Sequence, residues 1–251
     1  MEIRYDLHIH SALSPCAETE MSPGNIVGMA FLNGLDVISI TDHQSCANVH
    51  SAMSAADRIR KEKGRAPVIL PGMEIECAEG FHMLAYFPSL ACAVRFEEFV
   101  NSHRIQIPNR PEIFGEQVLF DDMDTVSGTV SNLLTTSCTI SSIRIDREIR
   151  SVGGLMIPAH IDRDSYSILS SLGEIPEELP VRILELSKNC SRDQFIAVHP
   201  EWKSYQFIQN SDAHRLLDIS EPGGRLALSS LSSDFFDAEH VLEALRDMSG
   251  K

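Results

Sequence analysis

Basic residues are scarce in this sequence of 251 residues: 21 lysines and arginines stand against 36 aspartates and glutamates, a formal charge of −15. A surface with this excess of negative charge repels phosphate backbones, so we expect no tight binding to duplex nucleic acid. Bound cations would alter the balance, because three divalent ions would offset six of these charges.

Long apolar stretches are also absent, and none approaches the roughly 20 residues of a membrane span. The first residues lack the basic, apolar and small-residue pattern of a signal peptide. The six cysteines include no Cys-x-x-Cys pair, so we predict reduced thiols and a cytoplasmic location. No nucleophile elbow and no phosphate-cradling glycine loop occurs, which argues against hydrolases and nucleotide-binding proteins that depend on them.

The sequence does contain seven short apolar runs, separated by segments of helical character. Ser22, Pro23 and Gly34 suit the start and end of one helix, and Gly64 suits the end of the next. Alternating strands and helices predict a parallel α/β architecture, an irregular barrel, in a single domain spanning 1–251. The runs are 3–10, 36–43, 67–76, 81–87, 153–161, 181–188 and 205–214, with 225–230 as a candidate eighth.

The segment at about 89–138 interrupts this alternation, and we predict an insertion that covers one end of the barrel. Within it, "VLFDDMDTVSGTV" predicts a hairpin around a polar turn. The stretch "DDMDTVSG" is superficially similar to a calcium loop, but it lacks the required glycine, so we exclude a calcium site there.

Residue types that bind metals lie at the ends of most runs. Because the carboxyl ends of parallel barrel strands meet at one mouth, we expect these side chains to converge. His82 instead opens its run, so the turn before it must reverse the chain, as in a hairpin with the third run. Packed without cations, these groups would leave buried charges unpaired, at a cost of roughly several kcal/mol each. The residues concerned are His8, His10, Asp42, His43, Glu74, Glu76, His82, His160, Asp212 and His214.

For the other four histidines, His50, His103, His199 and His240, we predict ordinary structural roles, because none lies at a strand end.

The motifs His-x-His, "TDH", "GMEI", "FHMLAYF", "PAH" and "SDAH" occur in this order along the chain. The ordered set resembles the PHP (polymerase and histidinol phosphatase) domain phosphoesterases, over both ends of the chain and outside the insertion. The resemblance implies a distorted, TIM-like (β/α)7 barrel that holds two or three divalent ions of zinc, manganese or iron.

The resemblance also implies which residues bind each ion. The first ion would take His8, His10, Glu74 and Asp212; the second would share Glu74 and add His82 and His160; the third would use His43, His214 and a residue from the loop after the first strand.

That loop, "HSALSPCAETEMSP", departs from the family pattern. Counting forward from His10 leads near Cys16, and counting back from "TDH" leads near Glu18. We choose Glu18, because a hard carboxylate suits an ion that must bind an oxyanion, and Cys16 is the alternative.

Two ions that share a carboxylate, roughly 3.5–4 Å apart, generate hydroxide at neutral pH and hold a phosphoryl group. We expect a metal-bridged hydroxide to attack phosphorus in line, with Glu74, Asp212 and His214 as catalytic metal ligands and the third ion supporting the leaving alkoxide.

Asp42 is predicted to orient a ligand histidine, with a capping role as the alternative, and Glu76 is either a similar support or a surface residue. Candidate ligands of the substrate phosphate are Arg163 first, then Lys188, Arg192 and Arg215, each of which could equally be an ordinary surface charge.

The predicted function is therefore metal-dependent hydrolysis of phosphomonoesters, of the histidinol-phosphate or nucleoside bisphosphate type. One alternative is 5′-to-3′ exonuclease action on short oligonucleotides. An amidohydrolase-like C–N hydrolase would share the His-x-His motif, but "TDH" and "GME" fit it poorly. A metal-stabilised barrel without catalytic activity is the remaining alternative.

Overall fold

The computed structural model describes residues 1–219, 224–228 and 235–249. Its strands are β1 Glu2–Ile9, β2 Val37–Ile40, β3 Val68–Ile69, β4 Gly72–Glu76, β5 His82–Tyr86, β6 Val118–Phe120, β7 Val126–Thr129, β8 Leu155–Pro158, β9 Ile183–Ser187, β10 Gln206–Asn210 and β11 Gly224–Ala227. Its α-helices are α1 Pro23–Leu32, α2 Val49–Lys63, α3 Leu90–His103, α4 Pro111–Phe114, α5 Ser142–Ser151, α6 Ile168–Leu172, α7 Arg192–Val198 and α8 Ala238–Ser249. Two 3₁₀ segments span Pro200–Ser204 and Leu216–Asp218.

The described strands form four sheets, one of which is the antiparallel β6–β7 hairpin. In the largest, β1 lies between antiparallel β11 and parallel β2, and β3 extends β2 in parallel. Strands β9 and β10 pair in parallel, whereas β5 is antiparallel to both β4 and β8. The turn between β4 and β5 is too short for a parallel crossover, so it returns the chain as a hairpin and places His82 opposite Glu76.

Isolated β-bridges connect neighbouring sheets, among them the bridges of Ile9 with Ala213 and of His43 with Glu74. The α/β fold class is confirmed, but the sheets formed by the described residues do not join into one closed barrel. The distorted (β/α)7 barrel therefore stays a prediction. The hairpin expected between the third and fourth runs is confirmed by the antiparallel pairing of β4 with β5, and β8 also pairs antiparallel with β5.

Each of the seven predicted runs contains at least one strand. The third run is divided into β3 and β4 around Pro71, which has no N–H group to continue a ladder. The candidate eighth run begins within β11, and its residues 229 and 230 lie outside the described residues.

Local signals set the helix ends as the sequence predicts. The Ser22 side chain accepts from the backbone N–H of Asn25 at the start of α1, and Gly64 ends α2 with a φ of 79°. Helix α3 was not predicted, although Ala93, Phe96 and Val100 form a buried stripe at helical spacing along it.

None of the described helices is long and apolar enough to cross a membrane.

The apolar core consists of two clusters. One joins β2 to α1 and α2 and includes Ile26, Ile38 and Ala52. The other joins β1 and β8 to α8 and includes Leu7 and Leu242. Both clusters hold β1, whose carboxyl end carries the His-x-His pair, on a rigid support.

The segment 89–138 packs against the loops that follow β1 and β2. The Val118 N–H donates to the Ala12 carbonyl at 2.8 Å, and the Asn48 side-chain amide donates to the Val118 carbonyl at 3.0 Å. Gly115, with a φ of 99°, passes so close to the Pro15 carbonyl that a side chain there would clash. The insertion therefore supports the loop after β1, while its predicted role as a cover remains untested.

Candidate metal centre

Eight of the predicted ligand residues converge at one end of the strands. The His8 and His10 side chains come from the end of β1, and antiparallel pairing of β4 with β5 brings His82 to the same end. The eight are His8, His10, His43, Glu74, His82, His160, Asp212 and His214. The other histidines, His50, His103, His199 and His240, have their own partners away from this cluster.

Glu74 lies at the centre of the cluster and is almost completely buried. Its carboxylate is surrounded by nitrogens of five imidazoles, which come from the ends of four strands. For Oε1 these are His82 Nδ1 at 2.9 Å, His160 Nε2 at 3.3 Å and His8 Nε2 at 3.4 Å; for Oε2 they are His43 Nδ1 at 3.0 Å and His10 Nε2 at 3.3 Å.

Asp212 supplies the second carboxylate. Its Oδ1 lies 3.2 Å from His8 Nε2 and 3.3 Å from His10 Nε2, and its Oδ2 lies 2.6 Å from Arg163 Nη2. The His214 ring donates from Nδ1 to the Asp212 carbonyl at 2.9 Å. Asp212 and His160 both have positive φ, 51° and 27°, a conformation that non-glycine residues rarely adopt. Such strained backbone is concentrated at functional sites.

Glu185, which the sequence reasoning missed, orients His8. The His8 ring donates from Nδ1 to both Glu185 oxygens, at 3.0 and 3.1 Å. The same carboxylate accepts from the His160 backbone N–H at 2.8 Å and the Asn210 amide at 2.7 Å. A signal for it exists in the sequence, since "VRILELSK" places one carboxylate inside an otherwise apolar strand.

A chain of two hydrogen bonds, through Ser14 to Asp42, orients His10. The His10 ring donates from Nδ1 to Ser14 Oγ at 2.9 Å, and the Ser14 hydroxyl donates to Asp42 Oδ1 at 2.7 Å. Asp42 also accepts from the Ser11 backbone N–H at 2.7 Å, so one carboxylate both supports the loop and reaches the histidine through a hydroxyl. Glu76 lies beside His82, with Oε2 at 3.9 Å from its Nε2, and accepts from Ser137.

The donor set fits a bound cation. With their Nδ1 atoms directed to Glu185 and Ser14, His8 and His10 turn their Nε2 atoms toward each other across 3.2 Å. Glu74 and Asp212 add carboxylate oxygens to the same space, so four metal-binding groups meet there. These buried groups need a shared positive charge, supplied either by protons on the rings or by a metal ion. The buried Nδ1 of His160 also has no hydrogen-bond partner among the described residues.

The pKa shifts also indicate that the buried cluster needs positive charge. Burial alone would lower the pKa of His10, but hydrogen bonds and charge from Asp212 and Glu74 raise it to about 9. For His43, burial is again outweighed, mainly by Glu74, and the pKa rises to about 9. Burial raises the pKa of Glu74, yet the surrounding imidazoles, His82 and His8 foremost, bring it well below its usual range. The carboxylates stay ionised and attract either protons or metal ions.

Divalent metal binding is expected to release protons near neutral pH. His10 and His43, with pKa values of about 9, carry a second proton in the metal-free protein, and a metal ion must displace it. We expect about two protons from these residues at neutral pH, and metal affinity that rises with pH until the pH exceeds their pKa. Zinc titration calorimetry in buffers of different ionisation enthalpy measures this release. His43→Ala should release about one proton fewer, and an unchanged count would contradict the assignment.

Residues for a third ion lie at the rim. The ligand atoms of His10, His43 and His214 lie within 4.8 Å of one another. Glu18 is about half exposed and pairs with Arg215 at 3.1 Å. The Cys16 side chain instead lies close enough to the His43 ring to help raise the pKa of that ring. The loop brings both candidates near the rim: the Glu18 backbone N–H donates to the His214 carbonyl at 3.0 Å, whereas it is the side chain of Cys16 that lies near a ring of the three histidines.

The four basic candidates occupy different positions. Arg163 contacts Asp212 directly. Lys188 lies 3.4 Å from Asp218, Arg192 lies over the Phe207 ring at 5.4 Å, and Arg215 pairs with Glu18. Of these four side chains, that of Arg163 pairs with a carboxylate of the cluster.

A cavity of about 590 Å³ adjoins Arg163. Its walls come from the loop after β8, the loop after β9 and helix α7, and they combine carboxylate, amide and hydroxyl groups with the Phe195 ring. Asp162 at its edge accepts from the backbone and hydroxyl of Ser187, which fixes the two loops to each other. A polar substrate group next to the cluster could occupy this space.

Comparison with known proteins finds similar proteins at low sequence identity. No protein-family model matches the sequence. It is 25% identical over 193 residues to the uncharacterized protein YqxK of Bacillus subtilis (strain 168), covering 73% of this chain and 43% of YqxK. The chain thus spans less than half of that relative.

Solved structures are similar over nearly the whole chain. The lesion-specific endonuclease Q of Pyrococcus furiosus has a TM-score of 0.67 at 18% identity, covering 100% of this chain and 57% of that one. Endonuclease Q has also been solved with a 27-mer duplex substrate bearing an abasic lesion at the active site, with a TM-score of 0.60 at 18% identity over 100% of this chain and 58% of that one.

Two smaller proteins match almost end to end. One, from Bifidobacterium adolescentis, has a proposed metal-dependent phosphoesterase activity: TM-score 0.54, 15% identity, 96% of this chain and 95% of that one. The other is an amidohydrolase from Chromobacterium violaceum: TM-score 0.53, 15% identity, 96% of both chains. The chain therefore has an α/β fold that resembles those of endonuclease Q, of a phosphoesterase-type protein and of an amidohydrolase.

Proposed function

We propose that this protein is a metal-dependent hydrolase of phosphate esters. The observation that carries the proposal is the convergence of four metal-binding groups, from His8, His10, Glu74 and Asp212, in one buried space. Supports from Glu185 and from Asp42 through Ser14 hold both histidines with Nε2 toward that space. A merely structural core would not maintain such a convergence of buried polar groups.

In this proposal His8, His10, Glu74 and Asp212 hold one ion, and Glu74 with His82 and His160 holds a second. When bound, such ions supply the positive charge that activates water and neutralises phosphoryl oxygens. Glu74 lies between the two groups, with one oxygen near His82 and the other near His10. Its carboxylate stays ionised near neutral pH, because the neighbouring imidazoles keep its pKa well below the usual range despite burial.

Other side chains orient the substrate. Arg163 lies between the cluster and the cavity, so its guanidinium can bind a phosphate oxygen through charge-assisted hydrogen bonds. The cavity beside it has room for a polar group of the substrate. His214 has its pKa lowered to about 4, by burial first and then by His10, so its imidazole is neutral at physiological pH. A neutral ring can accept a proton or bind an ion.

The test is hydrolysis by protein that is stripped of metal and then loaded separately with manganese, zinc or ferrous iron. The panel contains p-nitrophenyl phosphate, histidinol phosphate, nucleoside 3′,5′-bisphosphates and 5′-phosphorylated oligonucleotides, with amide and lactone substrates for comparison. We expect phosphate ester cleavage that depends on the metal. Turnover of only the amide or lactone would replace the proposal with C–N or ester hydrolysis of the amidohydrolase kind, and no turnover of any substrate would favour the non-catalytic alternative.

Cleavage of a nucleic acid strand is the second candidate. The likeness to endonuclease Q covers the full chain and has the higher TM-score, and that protein binds a lesion-containing duplex. This likeness weakens the expectation, drawn from the net charge, that the protein does not bind duplex nucleic acid. The formal charge of −15 still opposes such binding. Adding a duplex with one abasic site to the panel separates the candidates, since strand incision gives two shorter strands, one with a terminal phosphomonoester and one with a terminal hydroxyl, and releases no inorganic phosphate.

For the third ion we propose Cys16 rather than Glu18, which is paired with Arg215. Cys16→Ser is expected to lower the bound zinc by one equivalent and to remove the thiolate-to-metal absorption of the cobalt-loaded protein. Glu18→Ala should leave both unchanged. Metal analysis and electronic absorption spectra measure these effects, with Cys190→Ser as the matched thiol control. The reverse result, with Glu18→Ala losing the ion, would return the assignment to the carboxylate.

A further inference from the structure

Tyr166 has an unusual position beside the candidate centre. Its ring stacks on the His82 ring, with centroids 4.8 Å apart and an interplanar angle of 25°. Its backbone carbonyl accepts from the His82 N–H at 2.9 Å. Through these two contacts a loop residue after β8 covers one face of a candidate metal ligand.

The conformation of Tyr166 is strained but well supported. Its φ of 56° lies in the left-handed region, where a bulky aromatic residue is a genuine outlier. The loop is closed by the Arg163 N–H donating to the His160 carbonyl at 3.0 Å, and by the Ser167 hydroxyl donating to the Arg163 carbonyl at 2.6 Å. Ser167 and Ile168 are fully buried and anchor the loop. Strain that the surroundings maintain at a site mouth points to a functional position for the ring.

The ring is nevertheless largely open to solvent. Tyr166 is 52% exposed although one ring face rests on His82, so the exposed surface belongs to the other face and the edges. Three residues earlier on the same loop, Arg163 reaches Asp212 and is itself 45% exposed. One rigid loop thus presents a cation and an aromatic face at the mouth of the same cluster.

We infer that Tyr166 is a stacking platform for a planar ring of the substrate, and that the preferred substrate is a phosphate ester carrying a heteroaromatic ring, such as a nucleotide. The inference rests on the proposed function and specifies its substrate class. Arg163 would contact the phosphate while the open face of Tyr166 contacts the ring. A base that stacks on an aromatic side chain gains affinity whatever its hydrogen-bonding edge, so one platform serves different bases.

The test compares two ligands that differ only by the ring. The methylene phosphonate analogues of adenosine 5′-monophosphate and ribose 5-phosphate resist hydrolysis, so their binding to the manganese-loaded protein can be measured without turnover. We expect the adenosine analogue to bind about tenfold more tightly or better. Tyr166→Ala and Tyr166→Leu should abolish most of this preference, whereas Tyr166→Phe and Tyr166→Trp should retain it. Leucine keeps the apolar cover of His82 without offering an aromatic face.

A purely structural role gives a different result. If Tyr166 only positions His82, the alanine variant binds both analogues more weakly by the same factor. The ratio of their affinities then stays as in the parent protein, which would overturn the inference. Equal binding of the two analogues by the parent protein would overturn it as well. Hydrolysis of adenosine 5′-monophosphate and ribose 5-phosphate is assayed separately. If neither ester nor any other phosphate ester is cleaved, the proposed function fails while the binding ratio still decides the role of Tyr166.

Discussion

Glu74→Ala is expected to abolish divalent metal binding at the two proposed positions and to reduce phosphate ester hydrolysis by more than about a thousandfold. Glu74 contacts imidazoles of both proposed ion groups, including His82 and His10, so its loss removes a ligand from each. Metal content by mass spectrometry after gel filtration and the phosphate-release rate measure the two effects. Glu98→Ala, an exposed glutamate on α3, is the matched control and should behave like the parent protein.

The folded state of this variant must be checked in parallel. In the metal-free protein the Glu74 carboxylate balances the charge of protonated imidazoles, so its removal also lowers the melting temperature. The parent protein should gain stability when metal is added, because an ion that binds only the folded state shifts the unfolding equilibrium, and Glu74→Ala should gain far less. If folded Glu74→Ala retains the metal content of the parent protein, the bridging assignment is wrong.

Glu185→Ala is expected to weaken metal binding by about 10- to 100-fold although Glu185 is no proposed ligand. Without it, the Nδ1–H of His8, the backbone N–H of His160 and the amide of Asn210 all lose a buried acceptor. His8 is then free to rotate or to change tautomer, which withdraws Nε2 from the cluster. Each orphaned donor costs about 1–3 kcal/mol, so the metal-free protein is destabilised as well.

Glu185→Gln separates these effects. A glutamine carbonyl can still accept from His8, but the side chain has no negative charge and only one acceptor oxygen, so we expect an intermediate loss of affinity. Chelator competition gives the metal affinity, and urea unfolding of the metal-free protein gives the stability. Asp146→Asn, which alters a buried carboxylate on α5 that pairs with Arg150, is the control for general destabilisation. An affinity unchanged in Glu185→Ala would show that His8 needs no support.

The candidate ligands were predictable because their signal is local. Strand ends are marked by short apolar runs, and a metal-binding residue type at such an end can be recognised without knowledge of its partners. His8, His10 and His43 follow this rule, and the structure places all three around Glu74. The ordered set of motifs then indicates the whole cluster.

The supporting residues were not predictable in the same way, because their roles exist only through distant partners. Glu185 and His8 are 177 positions apart, and the stacking of Tyr166 on His82 depends on a strained loop conformation that no composition rule indicates. The pairing of Glu18 with Arg215, on which our proposal of Cys16 rests, likewise joins residues far apart in the chain.

From the sequence alone one can predict the α/β fold class, the helix ends at Ser22 and Gly64, the hairpin between the third and fourth runs and the identity of the eight converging residues, since each depends on interactions among near neighbours in the chain. The antiparallel pairing of β8 with β5, and the positions of Glu185 and Tyr166 at the cluster, are seen only in the folded structure. The pairing of distant strands and the choice of buried hydrogen-bond partners are selected by packing between segments far apart in the chain. A pattern of neighbouring residues carries no record of that packing.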